Sequence, residues 1–172
     1  STIAWAESAF HPRWTGVDHS VIKLHDLSTG KGRKLGKRSR YFSPAPSPDG
    51  RHVAVVENDL HGRYSIVVLT ADDGREVERL PAAAGEQFTH LRWSEAEHLI
   101  LAVSLRKEGN GIVIVDPWSD TLRVLVPHEQ VALARPFLCK DKLYFSSGIG
   151  GIDNIHVLDL VSGKRRMVTD ER

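Results

Sequence analysis

An Ile-led phrase recurs four times in this chain at a nearly constant interval. IKLHDLSTG runs from Ile22 to Gly30, IVVLTADDG from Ile66 to Gly74, IVIVDPWSD from Ile112 to Asp120, and IHVLDLVSG from Ile155 to Gly163. Their openings are 44, 46 and 43 residues apart. Self-similarity at such a period means one supersecondary unit stacked several times, each burying the face of its neighbour. A chain built this way has little freedom in fold, and its chemistry must come from departures from the repeat.

Within each unit the alternation of apolar and polar residues has period two, which is the signature of strands. Ile22, Ile66, Ile112 and Ile155 form one column of the phrase, and Leu24, Val68, Ile114 and Val157 form a second two residues on. The opposite column is mixed: Lys23, Val67, Val113 and His156. Calling the phrase strand c, a strand b precedes it at Thr2 to Glu7, Val53 to Glu57, Leu99 to Ser104 and Leu143 to Ser147. Strand d follows and carries Leu35, Leu80, Leu125 and Val168. The Asp, Ser, Thr and Gly residues between c and d suit a tight hairpin.

Strand a precedes strand b. In the second unit it lies in SPAPSPDGRHVAVV, where three prolines discourage helix and Asp49-Gly50 makes the turn into b. The third and fourth units keep an aromatic residue there, Trp93 and Phe137. The first unit begins at strand b. Helix-period stretches are short, the best being Ala82 to Gln87 and Ser94 to His98.

Four strands per unit at this period describe the blades of a β-propeller. The expected fold is all-β, a propeller fragment of about four four-stranded antiparallel blades. The blades span approximately 1–39, 40–84, 85–128 and 129–172, the first lacking its strand a. Such a segment is expected to be cut from a larger propeller. Its open sheet edges invite homo-oligomers.

SPDGRHVAVVENDLHGRYSIVVLTADDG resembles the PD40 variant of the WD40-like repeat, with its SPDG turn and its I-x-V-x-D strand; LYFSSGIGGIDNIHVLDLVSGKRRMVTDE is similar to it. The repeat occurs in TolB-like propellers, tricorn-type proteases and the propeller domains of prolyl oligopeptidase-type peptidases. The resemblance implies a propeller fold and, through the TolB-like members, a periplasmic or cell-envelope setting, with a cytoplasmic one left open. It is silent on activity, because the motif is structural.

Composition narrows the partners. There are 23 basic and 22 acidic residues, a formal charge of +1, which lacks the positive excess of a nucleic-acid binder. No apolar run is long enough to span a bilayer, so no membrane insertion is expected. Cys139 is the only cysteine, which rules out an intrachain disulfide and is read as a small buried hydrophobe.

Several clusters carry residues capable of chemistry. The connection from b to c is about six residues longer in the first unit and carries His11, Arg13, Trp14, Asp18 and His19. Its plainer role is packing of Phe10 and Trp14 over a rim. Nine His are scattered without metal-ligand spacing, though Asp18-His19 and Asn58, Asp59, His61 are loop positions open to a metal. His52 and His98 read as equivalent positions before strand b. Six cations between Lys31 and Arg40 fit a charged outer strand better than an anion site. GIGGIDN is a hairpin and not a phosphate loop, because a strand follows it. No nucleophile elbow or paired acid/base carboxylates stand out.

No catalytic residue, metal ligand or cofactor is therefore assigned. The expected function is non-catalytic binding or scaffolding, engaging a protein, peptide or glycan. Its contacts are sought at His11, Trp14, Asp18, Arg40, Gln87, His90 and Gln130. The alternative is the substrate-gating propeller of a prolyl oligopeptidase-like or tricorn-like peptidase whose catalytic domain lies outside this chain.

Overall fold

The computed structural model describes residues 2–9, 19–94 and 98–171. The chain divides into two compact units, Ser1–Ala84 and Gly85–Arg172. Each holds two antiparallel sheets in which consecutive strands are neighbours.

In the first unit β1 (Thr2–Ala9), β2 (His19–Asp26) and β3 (Gly32–Ser39) form a three-stranded sheet. β4 (Tyr41–Pro46), β5 (His52–Asn58), β6 (Tyr64–Thr70) and β7 (Glu76–Pro81) form a four-stranded one. Among the described residues the first sheet thus has strands b, c and d. Ile22, Leu24 and Leu35 of the first sheet pack on Val53, Val55, Val67 and Leu69 of the second, all essentially sealed from solvent. Full burial of each such side chain is worth about 1.5–3 kcal/mol.

The second unit repeats this plan. One sheet contains β8 (Gln87–Trp93), β9 (Ile100–Arg106), β10 (Gly109–Asp116) and β11 (Thr121–Glu129). The other contains β12 (Leu133–Cys139), β13 (Lys142–Ser147), β14 (Asn154–Asp159) and the three-residue β15 (Arg165–Met167). Leu101, Val103, Ile112 and Ile114 meet Leu143 and Phe145 in its core. GIGGIDN forms a 3-10 turn at Ile149–Gly151 and leads into β14, as a hairpin should.

The recurrent phrase ends in one device. Asp26, Thr70, Asp116 and Asp159 close strand c, and the residue four positions on has a left-handed backbone: Gly30 at φ 68°, Gly74 at 73°, Asp120 at 51° and Gly163 at 69°. The amide of Gly30 donates to Asp26 O at 2.8 Å, and Gly163 to Asp159 O at 2.8 Å. The carboxylate then caps the turn. Asp26 Oδ1 accepts from Ser28 N at 2.8 Å, and Asp159 Oδ1 from Ser162 N at 2.8 Å. In the second sheet Thr70 replaces the Asp, and its hydroxyl donates to Asp73 instead. The hydrogen bonds from Ser28 hold the Asp26 carboxyl down at about 2, and the Asp116 and Asp159 carboxyls are lowered in the same way.

Several expectations change. Ile155 is 46 % exposed whereas Ile22, Ile66 and Ile112 are buried; it pairs with Ser146 on the face of the fourth sheet opposite Leu143 and Phe145. Val126, not Leu125, stands opposite Ile112, since β10 and β11 slip register around Ile112. Cys139 is exposed. It pairs with Lys142 where the β12–β13 hairpin closes, at the sheet end and away from the core. Ser47 N bonds His52 O as Ser94 N bonds Leu99 O, so Leu99 is the counterpart of His52 and His98 sits one residue earlier. Residues 82–86 are turn and coil, with Gly85 at φ 78° and no helix.

Candidate functional site

The end of each sheet away from the c–d hairpins is where the repeat diverges. In the third sheet this end collects the start of β8, the turn between β9 and β10, and the end of β11. Gln87 pairs with Leu105, and Gln130 Nε2 donates to Lys107 O at 3.1 Å. Gln87 and Gln130 therefore share one end of one sheet, and both are exposed. In the first unit exposed Arg40 occupies the matching junction, its carbonyl accepting from Asn58 N at 3.2 Å. His90 lies farther along β8. His11, Trp14 and Asp18 lie outside the described residues.

Beneath this surface lie polar clusters that the sequence did not reveal. In the third sheet Glu86 is 4 % exposed. It accepts from Ser104 Oγ at 2.5 Å and from Arg106 Nε at 2.9 Å. Ser104 Oγ also lies 2.8 Å from His128 Nε2. Because the hydroxyl spends its one proton on Glu86, His128 must donate from Nε2. The serine stands between acid and imidazole and is fully buried, so the three side chains clamp one another in place. A buried carboxylate needs such partners to stay charged.

The fourth sheet places Ser147 where the third has Ser104, each two residues before a strand-a bulge in pairing. Arg165 joins Ser147 Oγ at 3.1 Å to Glu129 Oε1 at 2.7 Å, and its guanidinium sits 4.9 Å from the Phe145 ring centroid. His156, in the mixed column of strand c, is buried and stacked on Phe145, its Nε2 without a hydrogen bond. Burial lowers its pKa and the Arg165 charge adds to this. In the second sheet the position of Ser104 is taken by Glu57, which pairs with Arg79; Arg79 also grips Glu76 through Nε at 2.8 Å and a terminal nitrogen at 2.7 Å.

The loop of Asn58, Asp59 and His61 is committed to itself. Asp59 accepts from the amides of Arg63 at 2.9 Å and His61 at 2.8 Å, and from Arg63 Nε at 2.8 Å. The Arg63 amide, with its side chain and the His61 amide, holds the carboxyl at about 2. Among the described residues no three His, Cys, Asp or Glu side chains converge as metal ligands would.

Strand a carries a second departure from regularity. Ser43, His90 and Arg135 occupy one repeat position, each inside a β-bulge, with φ of 52°, 50° and 53°. A left-handed backbone costs a residue with a Cβ about 1–2 kcal/mol. None of the three is glycine, so their side chains are kept at a conformation that glycine would adopt more easily.

No known protein family and no curated protein matches the sequence. Solved structures do. TolB from Acinetobacter baumannii superposes with a TM-score of 0.74 at 17% identity, over 98% of this chain and 42% of that one. The β-propeller domain of the Trilobed protease from Pyrococcus furiosus, described as having an open velcro topology, gives 0.65 at 14% identity, over 99% of this chain and 54% of that one. Acylaminoacyl peptidase from Pyrococcus horikoshii gives 0.68 at 11% identity, over 98% of this chain and 31% of that one. These likenesses establish a β-propeller fold resembling TolB and peptidase propellers. The chain spans about half the length of such proteins or less.

Proposed function

We propose that this chain is a binding segment of a β-propeller, non-catalytic in itself, which engages a protein, peptide or glycan through the sheet ends bearing Arg40, Gln87 and Gln130. One observation carries this reading. The c–d ends are uniform and satisfied by their own carboxylates, while the opposite ends differ from sheet to sheet and leave Gln87 and Arg40 exposed. Binding residues gather on variable loops held by a rigid scaffold. The TolB likeness supports a periplasmic or cell-envelope setting.

A peptide and glycan array probed with the protein tests it. Bound signal should fall with Gln87→Ala, Gln130→Ala and Arg40→Ala and persist with Asp72→Asn and Trp118→Ala at the c–d ends. Equal losses from both ends would overturn the assignment.

The likeness to acylaminoacyl peptidase supports a second reading, a substrate-gating propeller of a peptidase. On that reading the whole protein hydrolyses peptides, and substitutions at Gln87 and Gln130 change which peptide lengths it accepts.

A further inference from the structure

In the second unit the exposed side of the a strands carries positive charge that no ion pair among the described residues neutralises. β8 and β12 lie side by side, and each is the edge strand of its sheet. Their repeat-equivalent residues meet in rungs. Arg92 sets its guanidinium 4.4 Å from the ring centroid of Phe137, its counterpart on β12. The rung before it consists of the two bulge residues, His90 and Arg135. Arg92, His90 and Arg135 are all exposed.

Glu86 is engaged by Arg106 and Glu129 by Arg165. Among the described residues no ion pair reaches Arg92 or Arg135. The His90 pKa is lowered, first by partial desolvation and then by the Arg135 charge, so the two groups share one field. Guanidinium forks recognise carboxylates in two-pronged geometry. An extended acidic peptide laid along β8 and β12 would meet these charges in turn.

We infer that Arg92, Arg135 and His90 form a docking site for an extended acidic peptide, the two guanidiniums taking its side-chain carboxylates and Phe137 backing the Arg92 contact. This deepens the binding reading above, rests on it, and supplies the ligand class.

Fluorescence anisotropy with a labelled hexaglutamate peptide tests it, with hexaglutamine as the neutral control. The protein should bind hexaglutamate and not hexaglutamine, and more weakly as salt rises. Arg92→Met keeps the alkyl stem over Phe137 and removes the charge. Arg135→Asn suits the left-handed backbone. Each should weaken binding about tenfold, the loss of one charge-assisted contact. Arg123→Gln on β11 should bind as the parent does.

Equal affinity for the two peptides, or full affinity in both arginine variants, would overturn the site. Complete displacement of hexaglutamate by an equal concentration of inorganic phosphate would overturn the peptide class. Array binding that depends on Gln87 in a protein indifferent to hexaglutamate would sink this site alone and leave the broader reading standing.

Discussion

The two ends of the sheets follow different rules. At the c–d end, strand, capping carboxylate or hydroxyl and left-handed closing residue recur in every sheet. At the other end the same strand-b position holds Glu57, Ser104 or Ser147, and each recruits different partners. The first end satisfies only its own backbone, so a single solution serves all four times. The second must bury polar groups between strands distant in sequence, and each sheet has found its own arrangement. Variation there is compatible with the fold, and specificity can be built on it.

One substitution made at both ends separates them most sharply. Gly109→Ala places a Cβ 2.1 Å from Glu129 O at φ 120°, so the backbone must move. Urea unfolding should show a loss of about 3 kcal/mol or more. Gly163→Ala meets nothing within 4 Å at φ 69° and should lose only about 1 kcal/mol, the strain of the backbone itself. Equal losses would erase the contrast.

Next in size is Glu86→Ala, which strands Ser104 and Arg106 and should cost about 2–4 kcal/mol by the same assay. A loss under 0.5 kcal/mol, roughly that of a surface substitution, would mean that the buried cluster is dispensable.

His156→Phe should move stability the other way. The ring stacks on Phe145 and its Nε2 lacks a partner, so the imidazole gains nothing from burial that a phenyl would not. Its pKa is lowered on folding, so the unfolded chain binds the proton more readily. Parent stability is therefore full above the ordinary histidine value near 6.5 and falls as pH drops through it. The variant should melt higher than the parent, with a larger gap at pH 5 than at pH 8.

The smallest effect belongs to the c–d end. Asp26 titrates at about 2 in the folded chain, below its unfolded value, so its contribution is present above about pH 4 and is lost as pH falls toward 2. Asp26→Asn keeps an acceptor for Ser28 and removes the charge. Acid titration followed by circular dichroism should show little change at pH 7 and a flatter decline between pH 4 and 2.

The sequence made the uniform end legible and hid the variable one. Ile22, Ile66 and Ile112 could be read as core because a strand's period is local, and the Gly or Asp closing each turn because a left-handed residue is needed within four positions. Neither rule reaches across a sheet. Glu86, Ser104 and His128 are separated by 18 and 24 residues, and no spacing rule connects them. Faint signals existed: LILAVS and LYFSS each end an apolar run on serine, where a strand buried throughout would continue with valine or leucine. The bulge that substitutes Val126 for Leu125 left no mark in composition. Gln87 and Gln130 lie 43 residues apart in the sequence, and only the backbone shows that both belong to one end of the third sheet.

Every sheet in both units pairs only strands that are consecutive in the chain. No pairing therefore waits for a distant segment to return, and each hairpin closes a short loop at small entropic cost. Such a chain can begin to order at several hairpins while it is still emerging from the ribosome. Pulled from its ends, it should yield in steps of a few strands rather than as a single block.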